Sequence, residues 1–88
     1  MEHASPIPML RPVVVRPLLG LSATGMADAE KAGLLVRPVR ISKRAVAYPA
    51  NELAAINAAR ISGSSDAEMR ALVNKLHAAR GAIADQSL

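Results

Sequence analysis

Eighty-eight residues, with eleven Lys and Arg against seven Asp and Glu, carry a formal charge of +4 and a pI near 10.4, a balance that points to a polyanion partner. A chain of this length makes one small domain that buries roughly 60–65% of its unfolded surface, and with no Phe, no Trp and one Tyr its thin core must come from Leu, Val, Ile, Met and Ala. The absence of Cys excludes a disulfide scaffold and a Cys-based zinc site and fits a reducing compartment.

The chain opens on "MEHASPIPML", where an acid and two prolines stand in place of the basic region and apolar run of a signal peptide. No apolar stretch approaches the ~18 residues of a membrane span, so no transmembrane helix is expected. Residues 1–9 read as a flexible arm. In "MLRPVVVRPLLG", Pro12 and Pro17 each remove a backbone donor. They predict an extended "RPVVV", then a short helical turn begun by Pro17 and closed near Gly20. The next stretch predicts a helix over Ala23–Ala32, capped by Ser22 or Thr24 and stopped by Gly33, with Met26, Ala29 and Ala32 as a modest apolar face.

"RPVRISKRAVAYP" alternates in two short arms, with Val39 and Ile41 on one face, Arg40 on the other, and Val46 and Tyr48 sharing a face in the second arm. Ser42–Arg44 between them predicts a tight turn, hence a two-stranded hairpin. "PANELAAINAARIS" favours helix, opened by Pro49, with Leu53, Ile56 and either Arg60 or Ile61 on the buried side. The last helix is the clearest. Ser65 and Glu68 form a capping box, and Met69, Leu72, Val73, Leu76 and then Ile83 recur at helical spacing. Lys75 and Arg80 suit its C-terminal dipole, and Gly81 is expected to close it. The fold class is therefore mainly α with a small β-hairpin.

Little in this pattern supports catalysis or metal binding. His3 lies in the arm, His77 on a flank of the last helix, and Asp28 and Glu30, two apart on a helix, point in different directions. "GLSATG" has two glycines but no phosphate-binding Lys after them. The expectation is a non-enzyme without metal or cofactor. The chemistry sits instead in the hairpin, where Arg37, Arg40, Lys43 and Arg44 precede any acid. Such charges are often no more than a solvated face. The order of elements raises their interest: a short helix, a "GLS" turn, a capped second helix and a basic hairpin follow the order of a winged helix-turn-helix.

Residues 10–61 resemble the AlpA-type winged helix-turn-helix proteins, relatives of the MerR-like fold that include phage and integrative-element excisionases, or recombination directionality factors. The resemblance rests on Gly20-Leu21-Ser22, Gly33, Pro38-Val39-Arg40-Ile41-Ser42, Arg44-Ala45-Val46, Tyr48 and Glu52-Leu53. The chain departs from that pattern after Ser22, where Ala23–Asp28 replace the family's Arg and aromatics. It implies a winged helix-turn-helix over residues 10–61 plus a C-terminal helix over residues 64–88. Ser22, Thr24 and Lys31 would then contact DNA from the second helix, with Arg37, Arg40, Lys43 and Arg44 on phosphate or in the minor groove.

One copy with so few base-reading groups would discriminate sequence weakly. Met69, Leu72, Val73 and Leu76 are therefore weighed both as core and as an oligomerisation face coupling copies on DNA. The implied function is an architectural factor in the bacterial cytoplasm, associated with the nucleoid. It would bind double-stranded DNA near an attachment site and turn a tyrosine recombinase toward excision. A transcriptional regulator of the same fold and a helical protein-binding adaptor are the alternatives.

Overall fold

The computed structural model describes residues 6–87, with side chains described as far as Ile83; His3 and most of the expected arm lie outside them. The architecture is mainly helical with a small antiparallel sheet. In chain order it runs β1 (Met9–Leu10), α1 (Pro12–Leu19), α2 (Ala23–Lys31), β2 (Val39–Ser42), β3 (Ala45–Pro49), α3 (Ala50–Ile61) and α4 (Asp66–Ser87).

The sheet has three strands in the order β1-β3-β2, one more than the hairpin alone. Met9 and Leu10, read as the end of the arm and the start of the next element, pair with Pro49 and Tyr48, and the Ala50 N–H donates to the Pro8 carbonyl at 2.8 Å. Two residues are too few to show alternation, so this strand leaves no pattern in the sequence. The hairpin register, Val39 to Ala47, Arg40 to Val46 and Ser42 to Ala45, slips at Ile41. That irregularity takes Ile41 out of the face it was expected to share with Val39, and leaves it exposed.

The helix α1 corrects the expectation of an extended "RPVVV". Pro12 occupies the first turn, where its missing N–H costs nothing, and Pro17 sits inside the helix. The bond that Pro17 cannot make is the one to the Val13 carbonyl, and Val13 is 66% exposed, so water can satisfy that group. Gly20, at φ +70°, closes the helix, with the Leu21 N–H reaching back to the Arg16 carbonyl. The helix α2 follows the expected course. The Ser22 hydroxyl accepts from the Gly25 N–H at 3.0 Å, and Gly33 at φ +78° ends the run. Ala32 is exposed rather than part of the apolar face.

The reciprocal Ser65–Glu68 cap starts α4, as expected, with the Ser65 N–H donating to Glu68 Oε1 at 2.7 Å and the Glu68 N–H to Ser65 Oγ at 3.1 Å. The helix does not stop at Gly81 but runs through it to Ser87. One core gathers Val15 and Leu19 of α1, Met26 of α2, Leu35 and Val36, Tyr48 of β3, Leu53 and Ile56 of α3, and Met69 and Val73 of α4. Leu72 and Leu76 pack against the edge of that core. Met69 and Val73 are thereby taken up in the domain's own core, while Leu72 and Leu76 at its edge stay partly open. Fully burying a side chain such as Met69 or Val73 stabilises the domain by roughly 1.5–3 kcal/mol, a contribution that a core this thin needs. The expected division near residue 61 is a joint over one shared core. Ile61 itself points out, 87% exposed, and Arg60 reaches across to donate to the Leu19 carbonyl at 2.9 Å.

Among the described residues no helix is long and apolar enough to cross a membrane.

Candidate nucleic-acid interface

Thr24, Ala27, Asp28 and Lys31 recur at i, i+3, i+4 and i+7 on α2 and are all exposed, so they form one solvent face opposite Met26. Of the three residues expected to contact a nucleic acid from this helix, Thr24 and Lys31 lie on that face. Ser22 lies at the helix start with its hydroxyl already accepting the capping bond. Asp28 places an acid in the middle of the face. A base edge could be met here only by Thr24, by Lys31, or by Asp28 accepting from a cytosine amino group.

The four hairpin cations are not equivalent. Lys43 and Arg44 form the turn and are exposed. Among the described residues the ion pair within salt-bridge reach is Arg80 with Glu52, so neither turn cation is neutralised. Arg40 folds back on the turn, donating from Nε to the Ser42 carbonyl at 3.3 Å and from Nη2 to the Lys43 carbonyl at 2.9 Å. It braces the hairpin as much as it charges it. Arg37 stands at the hairpin's root, its Nη1 3.2 Å from His77 Nδ1. The hairpin is tied to the helix pair by β1, which continues directly into α1, and by Tyr48 of β3, whose hydroxyl donates to Glu30 Oε2 of α2 at 2.7 Å. Burial, and then the hydrogen bond and negative charge of Glu30, push the Tyr48 hydroxyl well above its usual pKa.

A second charged cluster, not anticipated, lies behind the hairpin. Glu52 on α3 is 2% exposed and takes Arg80 of α4 in a fork, Nε to Oε2 at 2.9 Å and Nη2 to Oε1 at 2.6 Å. Arg80 Nη2 also donates to the Arg37 carbonyl at 2.8 Å, and the Arg37 N–H donates to His77 Nε2 at 3.2 Å. Burial, then the nearby Arg37 and Arg80 charges, lower the His77 pKa against the opposing pull of Glu52. A signal for Arg80 did exist. Met69, Val73, Leu76 and Arg80 follow one another by four, three and four residues, so the arginine continues the stripe that faces the core. Arg70, one position after Met69, donates to the Ala32 carbonyl at 2.8 Å and closes the end of α2 from the same helix.

The described residues hold no cluster of three or more His, Asp or Glu fit for a metal ion. A concavity of about 360 Å³ between α1, α3 and the start of α4 is lined by Leu19, Leu21, Leu34, Ile56 and Met69. Its charged groups are Arg60 and Asp66, and the Arg60 guanidinium is already engaged by the Leu19 carbonyl. Comparison with family models, with curated proteins and with solved structures matches none of them to this chain.

Proposed function

We propose that this chain is a double-stranded-DNA-binding architectural factor of the winged helix-turn-helix kind, resembling an excisionase. The observation that carries the reading is the hairpin turn, where Lys43 and Arg44 are exposed and, among the described residues, have no carboxylate within salt-bridge reach. A sheet strand and a buried tyrosine hold that turn in fixed relation to a capped helix pair. In this reading α2 lies in the major groove with Thr24 and Lys31 toward the bases, and the hairpin contacts phosphate or the adjacent minor groove. Neutralising phosphates on one face of the duplex favours bending toward the protein. In this reading the chain itself neither breaks nor joins DNA. A tyrosine recombinase would do so, directed toward excision by the bent complex.

Few groups on α2 read bases, so affinity is mostly electrostatic and steeply salt-dependent. Occupancy of a defined region then calls for several copies side by side, through a surface that does not include the buried Met69 and Val73. Footprinting over an attachment region, with and without recombinase, tests the reading. Protection that extends in steps with protein concentration and shifts the recombinase toward excision is expected. Protection confined to a promoter, without effect on recombination, replaces it with a regulator of transcription. A protein-binding adaptor is favoured by one observation: Leu18 and Ile61, 55% and 87% exposed, share a concavity. Absence of any salt-dependent DNA shift would leave that reading standing.

A further inference from the structure

The hairpin's root is held by the last helix. Arg37 stands two residues before β2, immediately after the buried Leu35 and Val36, and α4 holds both polar groups of its backbone. Its N–H donates to His77 Nε2 at 3.2 Å, and its carbonyl accepts from Arg80 Nη2 at 2.8 Å. Arg80 is itself fixed by the fork to buried Glu52 on α3. Pro38 follows, with its φ locked by the ring. The direction in which the chain leaves the core for the hairpin is therefore set by two side chains some forty residues away. We propose that His77 and Arg80 are positioning residues for the basic hairpin, and that the hold exerted by His77 is released by a proton. That the hairpin meets DNA rests on the function proposed above; that α4 sets the hairpin's root does not.

The chemistry of the release follows from the imidazole. Neutral histidine has one acceptor nitrogen. The Arg37 guanidinium can swing to another partner, whereas its backbone N–H is fixed in direction by the chain, so Nε2 is assigned as the acceptor and Nδ1 carries the proton. A second proton must then go to Nε2, the atom that accepts from Arg37, and the hydrogen bond is lost. The resulting imidazolium faces Arg37 from the segment before β2, Arg80 from its own helix and Glu52 from α3. Two of these three groups repel it, and the one acid is already taken at both oxygens by Arg80.

Two measurements on the full chain test the proposal. In the first, without DNA, the backbone amides are followed by heteronuclear NMR from about pH 8 to about pH 5, across the range where histidine titrates. The Arg37 amide and those of the hairpin are expected to move with the His77 ring signals. His77→Gln, which keeps an acceptor but takes no proton, should hold the Arg37 amide near its neutral position throughout. His77→Ala should place it at the acid position throughout. An Arg37 amide indifferent to the His77 titration, or two variants that behave alike, overturns the proposal.

In the second, binding to a duplex is read by fluorescence anisotropy over the same range. Added positive charge by itself tightens binding to a polyanion. A released hairpin should instead bind about 2- to 10-fold more weakly at the acid end, the worth of one intramolecular hydrogen bond, and His77→Gln should remove the loss. Binding by the natural chain that is unchanged or tighter in acid overturns the positioning role. No salt-dependent binding at any pH overturns the proposed function instead, and the amide titration alone then decides the clamp.

Discussion

Arginine occurs in two settings here. At the seam between α3 and α4, Arg80 is mostly covered and forked onto a buried glutamate, with a spare donor on a loop carbonyl. At the hairpin turn, Arg44 and its neighbour Lys43 lie open, with no acid in reach among the described residues. The contrast separates what a charge count merges. A cation satisfied at depth maintains the fold, because its partner cannot tolerate its loss. A cation left unneutralised at the surface costs the fold nothing, and is available to something outside it. Arg40 stands between the two, since its guanidinium braces the turn carbonyls while remaining at the surface.

The largest effect is expected at the seam. Arg80→Ala leaves Glu52 buried and unpaired, which should destabilise the domain by about 3–5 kcal/mol. An 88-residue domain has roughly 4–13 kcal/mol in total at ~0.05–0.15 kcal/mol per residue, so this one substitution should remove at least about a quarter of it. Urea titration followed by circular dichroism measures it. Replacing both partners with apolar residues, as in Glu52→Leu with Arg80→Met, should recover most of the loss, because the uncompensated charge is then gone. A cost under about 1 kcal/mol for Arg80→Ala would place the pair with ordinary surface bridges.

At the turn the expected effects exchange places. Lys43→Ala and Arg44→Ala should each change stability by no more than about 0.5 kcal/mol. If each side chain meets one phosphate, each substitution should flatten the slope of log K against log salt by about 0.9. Arg40→Ala should do both things in part, destabilising by about 1 kcal/mol through its two lost hydrogen bonds and weakening binding through a looser turn. Equal effects of all three substitutions on stability would erase the distinction between bracing and free cations.

What the sequence could reveal divides along the same line. Features whose partners lie within a turn of one another were legible: the Ser65–Glu68 cap, the Ser22 cap, the stops at Gly20 and Gly33, and the hairpin between Val39 and Tyr48. Features joined across the fold were not. Glu52 and Arg80 are 28 residues apart and Arg37 and His77 are 40 apart, and no local pattern links them. The helix α1 was misread for a different reason. Two prolines outweigh any local pattern, yet one fell in the first turn and the other one turn after the exposed Val13, whose carbonyl its ring leaves without a helix partner. Of the candidate interface, the cations were visible at once, but their division into braced and free depends on the fold of the turn.

The response to pH distinguishes a half-buried histidine from a buried tyrosine. His77 has its pKa lowered on folding, so the unfolded chain binds the proton more readily. Its contribution is full above about pH 6.5, the ordinary histidine value, and is lost progressively as pH falls below it. Tyr48 acts at the other end. Its proton is held more tightly in the fold than in the unfolded chain, which releases it near pH 10. Stability should therefore decline as pH rises beyond about 10, and Tyr48→Phe should decline less over that range than the natural chain. Urea midpoints on either side of each window measure both slopes.

The smallest effect compares two glycines under one substitution. Gly33 closes α2 at φ +78°, a conformation that a side chain opposes, and Gly81 lies inside α4 without a positive φ. A methyl group at Gly33 would meet the Arg70 side chain at an ordinary 3.5 Å, so the cost of Gly33→Ala is the backbone conformation, on the order of 1 kcal/mol. A methyl group at Gly81 would meet nothing within 4 Å. Alanine there removes conformational freedom from the unfolded chain and should stabilise by about 0.4–1 kcal/mol, toward the lower figure because the site is near a helix end. The pair also bears on the clamp, since Gly81 immediately follows Arg80. A stiffer helix at that point should hold the Arg80 fork more firmly and slow exchange of the Arg37 amide. If Gly81→Ala instead destabilises as Gly33→Ala does, α4 ends at Gly81, and the hold on the hairpin comes from its last turn rather than from a continuous helix.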